Sequence, residues 1–266
     1  MNRAFSPLET FQSALRNWWL LVVLMILGAG VGELIHAQHP PIYEAKAELS
    51  TSIDFARTGS LSDIEQDQII GIAGDVITSS AVLEKVVGSA SELGIALDVD
   101  QFREISQAER QYYRWVLRVR HAQPETAARL ANLWQEYAYA ALEEAYGHAV
   151  IADGLFRYLD ALQSCLGKTA VNGPMVAQCN QAHLKDVQAE LAATGAEATR
   201  EKLAAQGISP ALGFMISSEA AVPSQPVQYQ RSQLFFSGAL IGLVLAVWAV
   251  YLNLPERLGL GKKRDG

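Results

Sequence analysis

The chain has 266 residues, of which 50% are apolar and 18% are charged, and its formal net charge is −7 at pH 7. Its mean hydropathy of +0.10 is high for that share of charged residues, because the apolar residues concentrate in two blocks near the two ends. This distribution excludes an ordinary soluble enzyme, a disordered chain and a small disulfide scaffold. The acidic balance argues against a nucleic-acid partner, which would need a basic face.

The first apolar block predicts a transmembrane helix over residues 18–35, after a tail of residues 1–17. At about 1.5 Å per residue the block is long enough to cross the hydrocarbon layer of a bilayer. Its one charge, Glu33, lies near the far end, where a side chain can reach the interface. A cleaved signal peptide is the alternative. The apolar run is longer than the usual signal core and Ile35-His36-Ala37 is a poor cleavage site, so we expect a retained helix.

The segment between the two blocks, residues 36–233, is predicted to form an α+β domain. Apolar and polar residues alternate in three stretches that we interpret as strands, at 43–53, 113–121 and 212–218. Helical patterns lie between the first two strands, at about 63–76, 80–93 and 100–111. Because the first and last strands lie close to the predicted spans in sequence, we expect a small membrane-proximal sheet.

The most regular pattern of the chain predicts a long helical hairpin over about 125–206. Its first helix begins after Pro124 and extends to about residue 165; Asn172-Gly173-Pro174 breaks the pattern, and an alanine-rich helix returns over about 176–206. An approximately heptad seam follows the first helix and includes Leu130, Trp134, Tyr137, Leu155, Leu159 and Leu162. One return helix leaves part of such a seam uncovered, so we expect coiled-coil self-association between hairpins. Folding back onto the same domain is the alternative.

Both cysteines, Cys165 and Cys179, lie near the predicted tip of this hairpin. In an oxidising compartment two cysteines at this spacing are expected to form a disulfide, which in the chain-entropy model contributes about 3 kcal/mol. Two buried thiols are the alternative. A zinc site is disfavoured because no second pair of ligands accompanies the cysteines.

The second apolar block predicts a transmembrane helix over residues 234–252, followed by a tail of residues 253–266. Lysine and arginine near the spans set the orientation of a membrane protein. Both tails carry basic residues, whereas the middle segment has an excess of acidic ones. We therefore expect both tails to lie in the cytoplasm and the middle domain to lie across the membrane, in the periplasm of a bacterium.

Small residues recur four positions apart in both predicted spans. Gly28 and Gly32 form one GxxxG pair, and Gly238 and Gly242 form the other. Such pairs let helix backbones approach closely in lipid, so their presence in both spans favours packing of one span against the other.

A concentration of arginines, Arg110, Arg114, Arg118 and Arg120, lies within the otherwise acidic middle domain. One interpretation is contact with an anionic glycan or a lipid head group. The alternatives are ion pairs between subunits and a solvated basic face.

No catalytic or cofactor motif stands out in the sequence. The five histidines are scattered, and no glycine-rich phosphate loop with Lys-Ser or Lys-Thr occurs. The glycines of the first span lack dinucleotide-binding spacing and lie within an apolar run. We therefore expect no enzyme activity, no metal and no cofactor.

Four local patterns together resemble the Wzz-type chain-length determinants, which are polysaccharide co-polymerases. Segment 41–49 is similar to the strand after the family's first span, 77–87 to its serine-rich helix start, and 123–132 to the Pro–Ala–Ala–Asn opening of its long helical region. The fourth pattern leads into the second span, with Pro223, Pro226 and Arg231 before it and Gly238 and Gly242 within it. Tyr229 stands where the family often has a third proline.

The resemblance implies a non-catalytic regulator of polysaccharide chain length in O-antigen or capsule and exopolysaccharide biosynthesis. It implies a ring-shaped homo-oligomer in the bacterial inner membrane that acts with an integral-membrane polymerase on a lipid-linked glycan. The chain ends about a dozen residues after its second predicted span, as in the family's kinase-free class. The alternatives are an export or kinase-adaptor component, and a structural membrane scaffold or accessory subunit of another complex.

Overall fold

A computed structural model describes residues 18–170 and 184–252 of the chain. These residues belong to two compact units: residues 44–223 form an α/β unit, and the segments before and after it form a helical unit. In chain order the described elements are α1 (Trp18–Gln38), β1 (Tyr43–Ile53), α2 (Phe55–Thr58), α3 (Asp63–Ile77), α4 (Ser80–Glu92), α5 (Val99–Ile105), β2 (Ser106–Gln111), β3 (Arg114–His121), α6 (Pro124–Ala170), α7 (Leu184–Ala204), β4 (Leu212–Ser218) and α8 (Arg231–Tyr251).

The helical unit consists of α1 and α8 packed against each other. Each helix has 21 residues and is long and apolar enough to cross a membrane, by length and composition. The predicted bounds differ from the observed ones by a few residues only, since α1 continues to Gln38 and α8 begins at Arg231. Most of the large apolar side chains of both helices are exposed, as expected for a pair of helices surrounded by lipid.

The α/β unit contains a four-stranded sheet with the strand order β2-β3-β1-β4. β1 and β4 are antiparallel and pair Ile53 with Leu212, and an irregularity in their register lies between Glu48 and Leu49. Alternate residues of β1 are buried, namely Ala45, Ala47, Leu49, Thr51 and Ile53. The predicted bounds of β1 and β4 agree with the structure, and the predicted α+β class with a small sheet is confirmed.

One predicted helix is partly wrong. The pattern over 100–111 yields a helix only as far as Ile105, and Ser106–Gln111 is strand β2. β2 pairs antiparallel with β3 from Ser106 opposite Val119 to Gln111 opposite Arg114. Pairing with a neighbouring strand decides the backbone conformation here, because β-propensity depends on cross-strand contacts more than on the segment itself.

Helix α6 organises the core of the α/β unit, and Trp134 lies at its centre. The Trp134 indole nitrogen donates to the carbonyl oxygen of Ile77 at 3.0 Å. The ring of Phe102 meets the indole edge-on, with 5.5 Å between ring centroids. Leu130 is buried in the same core. Trp134 and Leu130, two residues of the predicted seam, therefore pack inside the domain. For this part of α6 the structure agrees with folding back onto the same domain.

Beyond this core, α6 and α7 form an antiparallel helical pair. Their direction follows from two contacts: His148 Nδ1 lies 2.6 Å from Glu201 Oε2, and the Tyr158 hydroxyl donates to Glu190 Oε1 at 2.5 Å. The buried stripe of α6 consists largely of alanines and is made up of Ala138, Leu142, Ala145, Ala149, Ala152 and Leu159. Small side chains on this stripe allow two helices to approach closely.

Several predictions at the hairpin tip lie outside the described residues. The break at Asn172-Gly173-Pro174 and Cys179 fall there, and so does the side chain of Cys165. The Cys165–Cys179 disulfide therefore stays a prediction.

Candidate membrane interface and self-association surface

The four glycines singled out in the sequence lie where α1 and α8 approach each other. A methyl group on Gly28 would collide with the carbonyl oxygen of Gly238, and a methyl group on Gly238 would collide with the carbonyl oxygen of Gly28. Only glycine, which lacks a Cβ, lets the two backbones come this close.

The same close approach of the two backbones repeats on both sides of the Gly28–Gly238 contact. A methyl group on Gly32 would collide with the carbonyl oxygen of Leu234, and one on Gly242 would collide with that of Leu24. These contacts run in opposite directions along the two helices, so α1 and α8 are antiparallel. Gly30, by contrast, faces open space and has no neighbour within contact distance of an added Cβ.

An ion pair joins the two helices at one end. Arg231 Nη2 lies 2.7 Å from Glu33 Oε1, and both side chains are exposed to a substantial degree. The partner offsets the cost of a carboxylate in an otherwise apolar helix, because opposite charges at this distance form a strong hydrogen bond. The pairing agrees with the interpretation of Glu33 as an interfacial residue.

Tyr229 closes the same end of the helical unit in a backbone conformation that excludes proline. Its φ is +55°, whereas the proline ring holds φ near −65°. The Tyr229 carbonyl oxygen lies 3.0 Å from His36 Nδ1, and its ring stacks on the ring of His39 with 5.0 Å between centroids. The departure from the family pattern at this position thus coincides with a turn that the family's proline could not form.

A concavity of about 990 Å³ opens beside this turn within the helical unit. It combines apolar and small side chains with the interhelical ion pair, and its lining includes Ile26, Gly30, Glu33, Pro226, Gln230 and Arg231. Pro226 of the proline segment and the Glu33–Arg231 ion pair therefore line the same surface.

The four predicted anion-binding arginines all pair with carboxylates of their own chain. Arg118 Nη1 and Arg120 Nε donate to the Glu44 carboxylate at 3.1 and 2.8 Å. Arg118 also lies 2.6 Å from Glu109. Burial alone would raise the pKa of Glu44, but the hydrogen bonds from Arg120 and Arg118 outweigh it and hold that pKa below its usual value.

The remaining two arginines are paired nearer the turn between β2 and β3. Arg110 pairs with Asp67, and Arg114 Nη1 donates to Glu48 at 3.2 Å. Much of the positive charge of these four arginines is therefore balanced by carboxylates of the same chain. Contact with an anionic glycan or lipid head group stays a prediction.

The part of α6 around residues 150–162 has a buried side and an exposed apolar side. Leu159 is only 8% exposed, and Leu155 and Leu162 are half-buried, as is Tyr137 nearer the start of the helix. Ile151, by contrast, is 51% exposed. Phe156 and Tyr158 are partly exposed too, but both contact α7: Lys202 Nζ lies 5.5 Å from the centroid of the Phe156 ring, and the Tyr158 hydroxyl donates to Glu190. The side available to another subunit is therefore the Ile151 side, whereas Leu159 is already covered within one chain.

One amide near the start of α6 has a role that periodicity could not indicate. Gln135, which is 2% exposed, donates from Nε2 to the carbonyl oxygens of Glu48 and Ser218, each at 2.8 Å. Glu48 and Ser218 are register partners beside the irregularity between β1 and β4. The amide thus satisfies two carbonyl groups where the strand ladder is disturbed. A polar residue on the buried side of a helix was the only sequence signal.

Over residues 18–170 and 184–252, no three side chains of His, Cys, Asp or Glu converge in an arrangement that could hold a metal ion. The expectation that the protein uses no metal or cofactor stays a prediction.

No protein-family model matches the chain, and no curated protein matches it at a significant level. Among solved structures, it is similar to a full-length bacterial polysaccharide co-polymerase, with a TM-score of 0.37 and 10% identity over 96% of this chain and 98% of that one. It is similar to a fragment of WzzB, a polysaccharide co-polymerase from Salmonella Typhimurium, with a TM-score of 0.25 and 12% identity over 69% and 98%. A third is the Shigella flexneri O-antigen chain-length regulator WzzBSF, with a TM-score of 0.20 and 11% identity over 69% and 99%.

Proposed function

We propose that the chain is a non-catalytic regulator of polysaccharide chain length in the bacterial inner membrane. It acts as a homo-oligomer together with an integral-membrane polymerase that extends a lipid-linked glycan, in O-antigen or capsule and exopolysaccharide biosynthesis. The observation that carries the proposal is the antiparallel, glycine-mediated pairing of two span-length helices that enclose one α/β unit in the sequence. The four local sequence patterns described above supply the link to polysaccharide co-polymerases.

The antiparallel pairing supports the proposed topology. Trp18 and Tyr251 lie at the outer ends of the two helices in sequence, whereas His36 and Tyr229 meet at the opposite end of the pair. If the pair crosses a membrane, both tails lie on one side and the chain between the helices emerges on the other. The basic residues of the tails favour the cytoplasm for that first side, which supports a periplasmic α/β unit.

Self-association is proposed to use the exposed apolar side of α6. Val150 and Ile151 expose apolar side chains along a helix whose buried stripe is covered within the chain. Burying such side chains between neighbouring subunits removes apolar surface from water.

Contact with the polymerase is proposed to occur at the helical unit. The concavity that includes Pro226 and the Glu33–Arg231 pair offers a surface with both polar and apolar groups at one end of the helix pair. A second integral-membrane protein can reach such a surface from within the bilayer.

Deleting residues 259–266 separates this function from that of an export or kinase-adaptor component. Length regulation by the periplasmic and membrane-spanning parts predicts a normal polysaccharide ladder in the truncated strain. An adaptor that works through its cytoplasmic tail would lose polymer export or its phosphorylation control. Co-purification of the full chain with proteins unrelated to polysaccharide synthesis would instead favour a scaffold or accessory subunit.

A further inference from the structure

The turn between β2 and β3 presents an aromatic side chain to solvent in a strained backbone conformation. Tyr112 has a φ of +55°, and its side chain is 89% exposed. A bulky residue rarely adopts positive φ, because its Cβ then crowds the backbone, and glycine or asparagine is the usual occupant of such a position. Glycine or asparagine would form the same turn with less strain, so the ring itself invites a functional explanation.

The neighbouring residues fix this turn in place. Arg110 Nε donates to the carbonyl oxygen of Tyr112 at 3.2 Å, and the same guanidinium pairs with Asp67. The Tyr113 hydroxyl donates to Gln66 Oε1 at 2.9 Å, and the Tyr113 carbonyl oxygen accepts from the Thr51 amide at 2.7 Å. The strained conformation is thus held from both sides, while the Tyr112 ring projects away from these contacts.

A shallow concavity of about 710 Å³ adjoins the ring, and its other walls are polar. They consist of a carboxylate, an amide and two guanidinium groups beside two tyrosines, in the residues Glu109, Arg110, Gln111, Tyr112, Tyr113 and Arg114. An aromatic face covers the apolar C–H face of a sugar ring, and planar amide, carboxylate and guanidinium groups offer donors and acceptors to adjacent hydroxyls.

We propose that this turn is a glycan-binding site in which the Tyr112 ring stacks on a pyranose unit and the surrounding polar side chains bond its hydroxyl groups. The inference rests on the proposed function, because it identifies the polysaccharide itself as a ligand of the α/β unit.

The test uses the full-length protein in lipid nanodiscs and the surface polysaccharide of the organism that encodes the chain, released from its lipid by mild acid. Tyr112→Gly removes the ring and also relieves the positive-φ strain, so this variant should fold with a Tm no lower than that of the unmodified protein. Its affinity for the polysaccharide, measured by titration calorimetry, should fall by about 3- to 10-fold, as expected for loss of one aromatic stacking contact. Tyr112→Phe keeps the ring and should bind within about twofold of the unmodified protein. Leu93→Ala, at an exposed site on another element, is the matched control and should leave affinity unchanged.

Equal affinity of the Tyr112→Gly variant and the unmodified protein would overturn the inference, as would absence of binding by the unmodified protein. A loss of oligomer mass in Tyr112→Gly would also overturn it and would assign the ring to a contact with a second copy of the chain. These outcomes leave the proposed function standing, because that function is tested separately by the polysaccharide ladder of a strain lacking the gene.

Discussion

The side-chain amide of Asn132 pairs with both backbone groups of Ala220. Asn132 Nδ2 donates to the Ala220 carbonyl oxygen at 3.1 Å, and the Ala220 amide donates to Asn132 Oδ1 at 2.7 Å. One turn further along α6, Gln135 binds the carbonyl oxygens of Glu48 and Ser218. The start of α6 therefore fixes the end of the sheet and the first residues that lead toward the proline segment.

Asn132→Ala should loosen this connection. Ala220 is 7% exposed, so the substitution leaves a poorly solvated amide and carbonyl without their partner, at a cost of about 1–3 kcal/mol in the free energy of unfolding. Hydrogen exchange of the full chain should accelerate at residues 219–222. Glu136→Ala, at an exposed position on the same helix, is the control and should leave exchange there unchanged. Unchanged protection at Ala220 in Asn132→Ala would show that the pair does not hold the segment.

Gly28→Ala should separate the two helices of the helical unit, because the added methyl group meets the carbonyl oxygen of Gly238. Overpacking of this kind costs about 1–3 kcal/mol. Gly30→Ala is a matched control in the same helix, since its methyl group would enter open space. Thermal unfolding of both variants in nanodiscs checks the difference. Equal stability of the two variants would mean that the close approach does not contribute to pairing.

Ile151→Asp and Leu159→Asp should have different effects. Ile151 is exposed in one copy of the chain, so a charge there should lower the oligomer mass in detergent and change the free energy of unfolding by about 0.5 kcal/mol or less. Leu159 is buried within the chain, so Leu159→Asp should destabilise the fold itself, by about 2–5 kcal/mol. An unchanged mass for Ile151→Asp would exclude this side of α6 from the subunit contact.

Protonation of Glu44 in acid should lower the stability of the α/β unit. Its side chain is 5% exposed, and Arg118 and Arg120 keep its pKa in the folded state below the usual value of 4.5. The carboxylate contribution is therefore fully present above about pH 4.5 and is lost as the pH falls through the lowered pKa. Glu44→Gln should cost about 1.5–3 kcal/mol at pH 7 and progressively less below pH 4.

The free energies of unfolding of Glu44→Gln and of the unmodified chain can be compared by denaturant unfolding between pH 7 and below pH 4. Glu65→Gln is a useful reference, because hydrogen bonds from Ser62 also lower the pKa of Glu65 but its carboxylate is exposed. A stability difference for Glu44→Gln that does not change with pH would contradict the assignment.

Sequence patterns predicted those parts of the fold that depend on a regular period. The alternation of Ala45, Ala47 and Leu49 located β1, because one face of that strand is buried throughout. The spacing of Gly28 and Gly238 with their partners predicted packing between the spans, and the structure brings these glycines together.

The features that sequence could not provide depend on contacts between distant segments. Strand β2 exists because β3 lies beside it, and the segment Ser106–Gln111 alone reads as the end of a helix. The buried stripe of α6 is carried by small residues such as Ala145 and Ala149, which a heptad pattern of large apolar side chains does not identify. The strained tyrosines at 112 and 229 have no local signal, because positive φ is imposed by their neighbours.

The most direct test of the central claim is the chain-length distribution of surface polysaccharide, together with its total amount, in strains with and without this gene. Regulation of length by a non-catalytic protein predicts that polymer is still made in the deletion strain but loses its preferred length, and that expression of the unmodified chain restores it. Complete loss of polymer, or a distribution that does not change, would contradict the account.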